Sequence, residues 1–140
     1  MRVVLDTDVV VAALRSPTGA SAAILRLARD ERVTLLANVA LALEYEAVCS
    51  RPEHAKAAGL TRAEVDVFVD AVIALVEPVE SHYLWRPQLR DPADEMVLEA
   101  AVNGRATAIV TFNARDFGES ATRFGVGLLA PSEALRRMRP

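Results

Sequence analysis

The residues of this sequence best suited to chemistry are acids, which stand where strands are expected to end or helices to begin. Four positions carry them: Asp6, Glu44, Asp94, and Asn113 with Asp116. Clustered carboxylates repel one another and need shared protons or cations. An all-oxygen site without histidine or thiolate suits Mg²⁺ or Mn²⁺. Such ions lower the pKa of a bound water and neutralise charge on a phosphoryl oxygen, so the pattern favours phosphodiester hydrolysis by metal-activated water.

Asp6 directly follows the apolar run Val3–Leu5, which places it at the carboxyl end of a first strand. A second apolar run, Val9–Leu14, comes soon after. The carboxylate must therefore be desolvated on at least one side, which is costly unless a partner or a metal compensates. The structural alternative is a helix cap or a turn former, and Asp8 could cap the following helix equally well.

Glu44 and Glu46 interrupt an almost wholly apolar helix expected over Val39–Cys49. The residues one turn away from Glu44 are apolar, but Glu46 has similar neighbours, so helical periodicity does not separate the two. At least one of the two glutamates must therefore lie away from the solvent-exposed face of the helix. An ordinary surface salt bridge explains either residue as well as a function does.

Asp94 heads an expected buried stripe. Asp91 is a natural N-cap with Pro92 at the first helical position, which accounts for Asp91 structurally. Asp94 then stands at the third helical position, where the helix dipole stabilises a carboxylate. Glu95 and Glu99 are expected on the opposite, wetter side. The face of Asp94 continues through apolar residues, namely Val97, Leu98 and Ala101.

Asn113 and Asp116 follow the strand expected over Ala106–Phe112, again at a carboxyl end. Turn chemistry would account for Asn113 alone. In open α/β sheets, however, sites form at the carboxyl ends of strands. The four acidic positions are therefore expected to meet at one edge of the sheet.

Apolar runs alternate with helical patterns, which indicates an α/β protein: a three-layer α/β/α sandwich with a mostly parallel central sheet of about five strands. Pro78 suits an edge strand, Thr61 and Glu64 form a capping box, and residues 51–59 are a loop or a short, weak helix. The expected strands are Val3–Leu5, Val33–Ala37, Val76–Val79, Ala106–Phe112 and Val126–Ala130. The expected helices are Ser21–Arg29, Val39–Cys49, Val65–Leu75, Pro92–Val102 and Ser132–Met138.

Length and composition limit the remaining possibilities. The 140 residues, 52% of them apolar, fit a single domain over residues 1–140 with a real core. The net charge of −3 gives no global electrostatic argument for nucleic acid, so local arginines would have to bind it. No apolar run could span a bilayer and the start does not look like a signal peptide, so we expect a cytoplasmic protein without membrane contact. The candidate arginines are Arg15, Arg86 with Arg90, and Arg136, Arg137 and Arg139, the last group more simply complementing a helix end.

Cysteine and histidine chemistry is not expected. Cys49 is the only cysteine, which excludes a disulfide framework or a cysteine-rich zinc site, and its apolar surroundings suit a small buried hydrophobe. His54 and His82 stand far apart in polar stretches without a metal-ligand spacing.

The ordered set of motifs resembles a PIN domain of the kind found in toxins of VapC-like toxin–antitoxin pairs. Each motif alone is weak, but together they cover nearly the whole chain in order. The matching segments are Val3–Leu14, Leu43–Glu46, Arg90–Ala101, Ile109–Phe117 and Leu129–Glu133.

The resemblance implies a metal-dependent endoribonuclease that dimerises and is held inactive by a small antitoxin protein. Asp8 stands where the family usually has asparagine, and Asn113 stands where many relatives have aspartate. The fourth acid is therefore open between a contact through Asn113 and Asp116. By position, the implied catalytic, metal-binding acids are Asp6, Glu44, Asp94 and Asp116. The residues expected to position RNA are Thr111, Asn113, Arg15 and Arg115.

Two other functions compete with this one. An aspartyl-nucleophile phosphohydrolase is suggested by a strand followed by Asp6-Thr7-Asp8, but that chemistry normally needs a lysine, and the only one, Lys56, lies in a polar stretch. The other alternative is a PIN fold kept as a non-catalytic binding module, which the retention of the acids disfavours.

Overall fold

The centre of the protein is a parallel five-stranded sheet in the order β3-β2-β1-β4-β5, seen in a computed structural model that describes residues 1–80 and 88–139. Every strand pair in it is parallel, where the sequence predicted a mostly parallel sheet. The strands are β1 (Arg2–Leu5), β2 (Thr34–Ala37), β3 (Val76–Pro78), β4 (Ala108–Val110) and β5 (Gly127–Leu129).

The chain order explains where a site can form. From β1 the chain builds outward through β2 to β3, and it then returns to place β4 on the other side of β1. The β1–β4 boundary is therefore the switch point of the sheet, where the loops leaving two neighbouring strands diverge and leave a crevice.

Helices cover both faces of the sheet, so the predicted three-layer α/β/α sandwich is confirmed. Successive residues of β1 and β4, such as Val3, Val4, Ile109 and Val110, are all buried, as a sheet covered on both sides requires. The helices are α1 (Thr7–Arg15), α2 (Ala20–Arg29), α3 (Val39–Cys49), α4 (Pro52–Ala58), α5 (Arg62–Leu75), α6 (Pro92–Asn103), α7 (Ser120–Arg123) and α8 (Pro131–Met138).

Most predicted elements are present, with shifted ends. The strand expected over Ala106–Phe112 is shorter at both ends and is confined to β4; beyond it, the Thr111 hydroxyl bonds Asp6 and Phe112 is exposed. The open choice for residues 51–59 is resolved as α4. Helix α1, over the apolar run Val9–Leu14, is not among the expected helices, and two short elements were also missed: α7 and a 3₁₀ turn at Ala114–Asp116.

Several local predictions are confirmed. Both bonds of the Thr61–Glu64 capping box form, and β3, with Pro78, is an edge strand. Cys49 is fully buried, which raises the pKa of its thiol to about 11. None of the helices in the described ranges is long and apolar enough to cross a membrane.

Two of the residues considered above, His82 and Arg86, lie outside the described residues. His54 lies on α4, with its Nε2 4.0 Å from an oxygen of Glu53. The basic cluster at the chain end does lie in the last turn of α8, where Arg137 pairs with Glu133 at 3.2 Å.

Candidate active site

Asp6 lies at the switch point, immediately after β1. Its backbone N–H donates to the carbonyl of Val110 at 2.9 Å, which ties it to the end of β4. Asp6 holds the N-cap position of α1, yet its side chain makes no capping bond. The buried carboxylate instead accepts a 2.7 Å hydrogen bond from the hydroxyl of Thr111. The simple cap explanation for Asp6 is therefore wrong.

Thr111 also organises the loop after β4. The backbone N–H of Asn113 donates to the Thr111 hydroxyl oxygen at 2.9 Å, and the Asn113 side-chain amide donates to Asp8 at 3.1 Å. Thr111 is buried, and its hydroxyl forms hydrogen bonds with both Asp6 and Asn113. This places Thr111 behind Asp6, whereas Asn113 and Asp8 are exposed at the rim.

The acids predicted at the four positions line one cleft of about 210 Å³. Glu44 of α3 faces this cleft, whereas Glu46 is exposed elsewhere on the helix, which resolves the ambiguity between them. We call this the acidic cleft. Its lining residues are Asp6, Thr7, Asp8, Glu44, Val48, Arg51, Asp91, Ala93, Asp94, Asn113 and Asp116.

Asp94 occupies the third position of α6, as predicted, after Asp91, whose side chain accepts from the N–H of Ala93 at 2.9 Å. Partial burial, together with the charges of neighbouring acids, of which Asp6 acts most strongly, raises the pKa of Asp94 to about 6. The pKa of Asp6 is also raised, mainly by burial, although its bond from Thr111 works in the opposite direction. The carboxylates thus repel one another across the cleft.

Asp116 and Asn113 both line the acidic cleft, so the structure brings both candidates for the fourth position to it. Asn113 is engaged with Asp8. Asp116 ends the 3₁₀ turn, and the fully buried ring of Phe117 anchors that turn in the core. Asp116 lies close enough to Asp6 and Asp94 for its charge to contribute to the raised pKa of both acids.

Two buried polar side chains hold the walls of the cleft together, and the sequence patterns did not reveal them. The hydroxyl of Tyr45, next to Glu44, donates to the carbonyl of Leu5, next to Asp6. Asn38 caps α3 by accepting from the N–H of Leu41 at 2.8 Å, and its amide donates to the carbonyl of Met96 on α6 at 3.2 Å. These bonds fix α3 against both β1 and α6.

The arginines are distributed unevenly around the cleft. Among the described residues, Arg51 is the basic residue that lines the acidic cleft, and it was not predicted from the sequence. Arg51 follows Val48 by three residues and Glu44 by seven, a helical spacing that could have indicated it. Arg115 and the candidate Arg90 line a neighbouring cavity of about 460 Å³, which shares Asp91, Asp94 and Asp116 with the acidic cleft.

Arg15 does not reach the acidic cleft. It is exposed at the carboxyl end of α1, whereas the cleft adjoins the amino end of the same helix. At 1.5 Å per residue, the helix separates Arg15 from Asp6 by roughly 13 Å along its axis.

Glu95 was expected to face water, but its carboxylate binds the backbone of the preceding segment. Both of its carboxylate oxygens accept from backbone N–H groups of the preceding segment: Oε1 from Gln88 at 3.2 Å, and Oε2 from Gln88 at 3.1 Å and from Leu89 at 2.9 Å. Glu95 is partly buried as a result, and it holds that segment against the wall of the neighbouring cavity.

The donors of the acidic cleft fit Mg²⁺ or Mn²⁺ in their chemistry, because they are carboxylate and amide oxygens without thiolate or imidazole. Within residues 1–80 and 88–139, no three acidic, histidine or cysteine side chains converge closely enough to form a ready-made cation site. Burial first, and then repulsion between the carboxylates, raises the pKa of Asp94 and of Asp6, so a bound cation would relieve an unfavourable charge in this cleft.

A parallel α/β sandwich with a carboxylate-lined cleft at its switch point defines the structural class. The chain belongs to the PIN-domain family, whose sequence model matches residues 2–115, and PIN domains are a nuclease-type fold family. The match includes Asp6, Glu44 and Asp94 and ends one residue before Asp116. No curated protein and no solved structure gives a significant match.

Proposed function

We propose that this chain is a Mg²⁺- or Mn²⁺-dependent endoribonuclease that hydrolyses RNA phosphodiester bonds. The observation that carries the proposal is the acidic cleft itself: among the described residues, six carboxylates line it together with one arginine. Such an excess of acids would repel the RNA phosphates as well as one another unless cations were bound there. A divalent ion held there would lower the pKa of an attacking water and neutralise charge on the phosphoryl oxygen.

The roles of the chain's own residues follow from their positions. Asp6, Glu44, Asp94 and Asp116 would supply the oxygen ligands, and Thr111 would hold Asp6 in one orientation. A ligand fixed by packing and by a hydrogen bond does not have to be ordered when substrate binds.

One arginine in the acidic cleft and one in the neighbouring cavity would hold the RNA backbone. No ion pair within the described residues includes Arg51, so its guanidinium is available for a phosphate. Arg115, in the neighbouring cavity, could contact a phosphate on the other side of the scissile bond.

The position of Lys56 disfavours the aspartyl-nucleophile alternative. It is exposed on α4 and is not among the described residues that line the acidic cleft. A phospho-aspartate at Asp6 would thus lack the lysine that normally balances its charge.

We further propose that the protein acts in the cytoplasm as the toxin of a toxin–antitoxin pair, as a homodimer restrained by a cognate antitoxin protein. The support is family membership together with the complete set of acids. Growth arrest on expression of the wild-type chain, absent for Asp94→Asn, would support the toxin role. Unimpaired growth with active, soluble protein would contradict it.

The nuclease proposal is tested with three matched variants. We expect Asp94→Asn and Glu44→Gln to lose Mg²⁺-dependent cleavage of a labelled RNA by at least roughly a hundredfold, since each removes a ligand charge. Glu46→Gln changes an exposed acid on the same helix and should keep wild-type activity. Circular dichroism would establish that all three remain folded. Undiminished cleavage by Asp94→Asn would reject the site.

A further inference from the structure

We propose that Phe112 and the cavity it lines form a base-binding subsite, which receives an unpaired RNA base beside the scissile phosphate. The inference rests on the proposed ribonuclease activity and adds to it a residue that would bind one base of the substrate. The observation behind it is a large aromatic side chain that is 54% exposed although it stands between two residues of the acidic site, Thr111 and Asn113.

The cavity has the size and surface of a site for a planar ring. Its volume of about 380 Å³ lies within the roughly 300–1,000 Å³ typical of small-molecule sites. Phe112 is its only aromatic residue among those described, and the other walls are small side chains. The lining residues are Ala12, Ser16, Gly19, Ala20, Ser21, Phe112, Ala130, Pro131 and Ser132.

Phe112 is held in place by its neighbours. The backbone N–H of Thr111 donates to the carbonyl of Leu129 at 2.9 Å, and the Thr111 hydroxyl both donates to Asp6 and accepts from the N–H of Asn113. The backbone on each side of Phe112 is therefore fixed. An aromatic ring presented on an ordered backbone loses little conformational entropy when it binds a ligand.

The cavity and the acidic cleft both border α1, whose C-cap is Ser16. Asp8 lines the cleft, and Ala12 and Ser16 line the cavity, at successive intervals of four residues on one face of the helix. One such interval corresponds to about 6 Å along the axis. A strand whose phosphate lies among the acids could thus place an adjacent base against Phe112.

The exposed residues Ser16 and Ser132 add hydroxyl groups at the cavity, which could bond the edge of a base. Arg15 lies next to Ser16 and shares the face of Asp8 and Ala12, so it could hold the phosphate that follows. Arg15 would thus serve RNA beyond the base subsite, at a distance from the acids.

The chemistry of the subsite favours unpaired RNA. Proteins recognise single-stranded RNA by stacking its splayed bases on aromatic side chains, whereas a base inside a duplex is already stacked on both faces. The ring of Phe112 can replace one stacking partner only if the base has left its neighbours. Only a base that is neither paired nor stacked in a duplex can therefore occupy the subsite.

The first experiment compares variants on a short unstructured RNA with Mg²⁺. We expect Phe112→Ala to lower kcat/KM by roughly 10- to 100-fold, which corresponds to the stacking of one base. Phe112→Trp should keep most of the activity because it keeps an aromatic face. Phe124→Ala, which removes another exposed ring, serves as the control and should cleave as the wild type does.

The second experiment changes the RNA. Once the cleavage position is mapped, a single abasic nucleotide is placed directly before or after it, and the same sequence is also tested as a duplex. We expect one abasic position to weaken wild-type cleavage about as much as Phe112→Ala does, with no further loss when the two changes are combined. We also expect the duplex to be a poor substrate.

The outcomes separate the two proposals. If the wild-type chain cleaves RNA but Phe112→Ala has unchanged kcat/KM, or if neither abasic position matters, the base subsite is wrong and the nuclease proposal stands. If the wild-type chain neither binds nor cleaves RNA with Mg²⁺ or Mn²⁺, both proposals fail together.

Discussion

Two opposing effects act on the carboxylate of Asp6. Burial and the charges of Asp8 and Asp116 raise its pKa, while the hydrogen bond from Thr111 and the backbone N–H of Thr7 lower it. The Thr111 bond therefore favours the ionised form, which is the form that binds a cation. Thr111 is a positioning residue, and its effect on chemistry should appear in how much metal the site needs.

We expect Thr111→Val to raise the Mg²⁺ concentration needed for half-maximal cleavage by roughly 10- to 100-fold. Valine keeps the volume but removes both the donor to Asp6 and the acceptor for Asn113. Because the pKa of Asp6 then rises further, the acid limb of the pH–rate profile should move to higher pH. Thr111→Ser keeps the hydroxyl and is expected to behave as the wild type. Equal metal requirements for the valine and serine variants would contradict this role.

At the scale of single residues, sequence reasoning located the acids better than it explained their surroundings. The sequence did not show whether Glu44 or Glu46 faces the site, because nearly every position of α3 is apolar and helical periodicity therefore does not distinguish a buried face. Glu95 was expected to face water, because the backbone groups it binds come from a segment without a recognisable pattern. The roles of Thr111 and Tyr45 depend on contacts with β1 that are remote in sequence.

Helix α3 matters to the site because it carries Glu44, and its position depends on Asn38. The side chain of Asn38 uses its oxygen to cap α3 and its amide to reach Met96 on α6, the helix that carries Asp94. One buried residue thus sets the spacing between two walls of the acidic cleft.

We expect Asn38→Ala to lower the free energy of unfolding by about 2 kcal/mol, of which the cap and the bond to Met96 each supply about half. Asn38→Ser keeps a capping hydroxyl and should lose only about 1 kcal/mol. Both variants lose the bond to α6, so both should need more Mg²⁺ for cleavage. Urea denaturation and metal titration measure the two effects separately. A serine variant with an unchanged metal requirement would show that the bond to Met96 does not set the spacing of the walls.

Helices and strands were predictable where their sequence pattern was long or where capping residues marked an end. The capping box of Thr61 and Glu64 marked the start of α5, and Asp91 with Pro92 marked the start of α6. Helix α7 has only four residues, and the 3₁₀ turn before it has three, which is too short for a periodicity to show. The register and order of the strands arise from long-range pairing and could be predicted only as a parallel sheet.

For the molecule as a whole, the acidic cleft is a source of instability when no cation is bound. The raised pKa of Asp94 means that the folded chain holds a proton more tightly than the unfolded chain does, over the range from about 4 to about 6. Because the folded state binds more protons in this window, the contribution of Asp94 to stability falls as pH rises through it. At neutral pH the full penalty is present, whereas below the unfolded pKa it is absent.

Replacing Asp94 should therefore stabilise the metal-free protein even though it removes activity. We expect Asp94→Asn to raise Tm at neutral pH by about 3 °C, equivalent to about 1 kcal/mol after solvent screening of a partly exposed group. The gain over wild type should vanish near pH 4. Asp70→Asn, which changes an exposed acid on α5, serves as the control and should show no such pH-dependent gain.

Added Mg²⁺ should reverse the order of the two proteins. Binding to the folded state stabilises the wild type in proportion to the logarithm of the metal concentration, and Asp94→Asn should gain much less because it lacks one ligand charge. Thermal denaturation across pH, with chelator and with Mg²⁺, measures both trends in one series. If Asp94→Asn is less stable than the wild type in chelator at neutral pH, or gains as much from Mg²⁺, then the burial and repulsion that raise the pKa of Asp94 do not destabilise the metal-free protein in the way proposed.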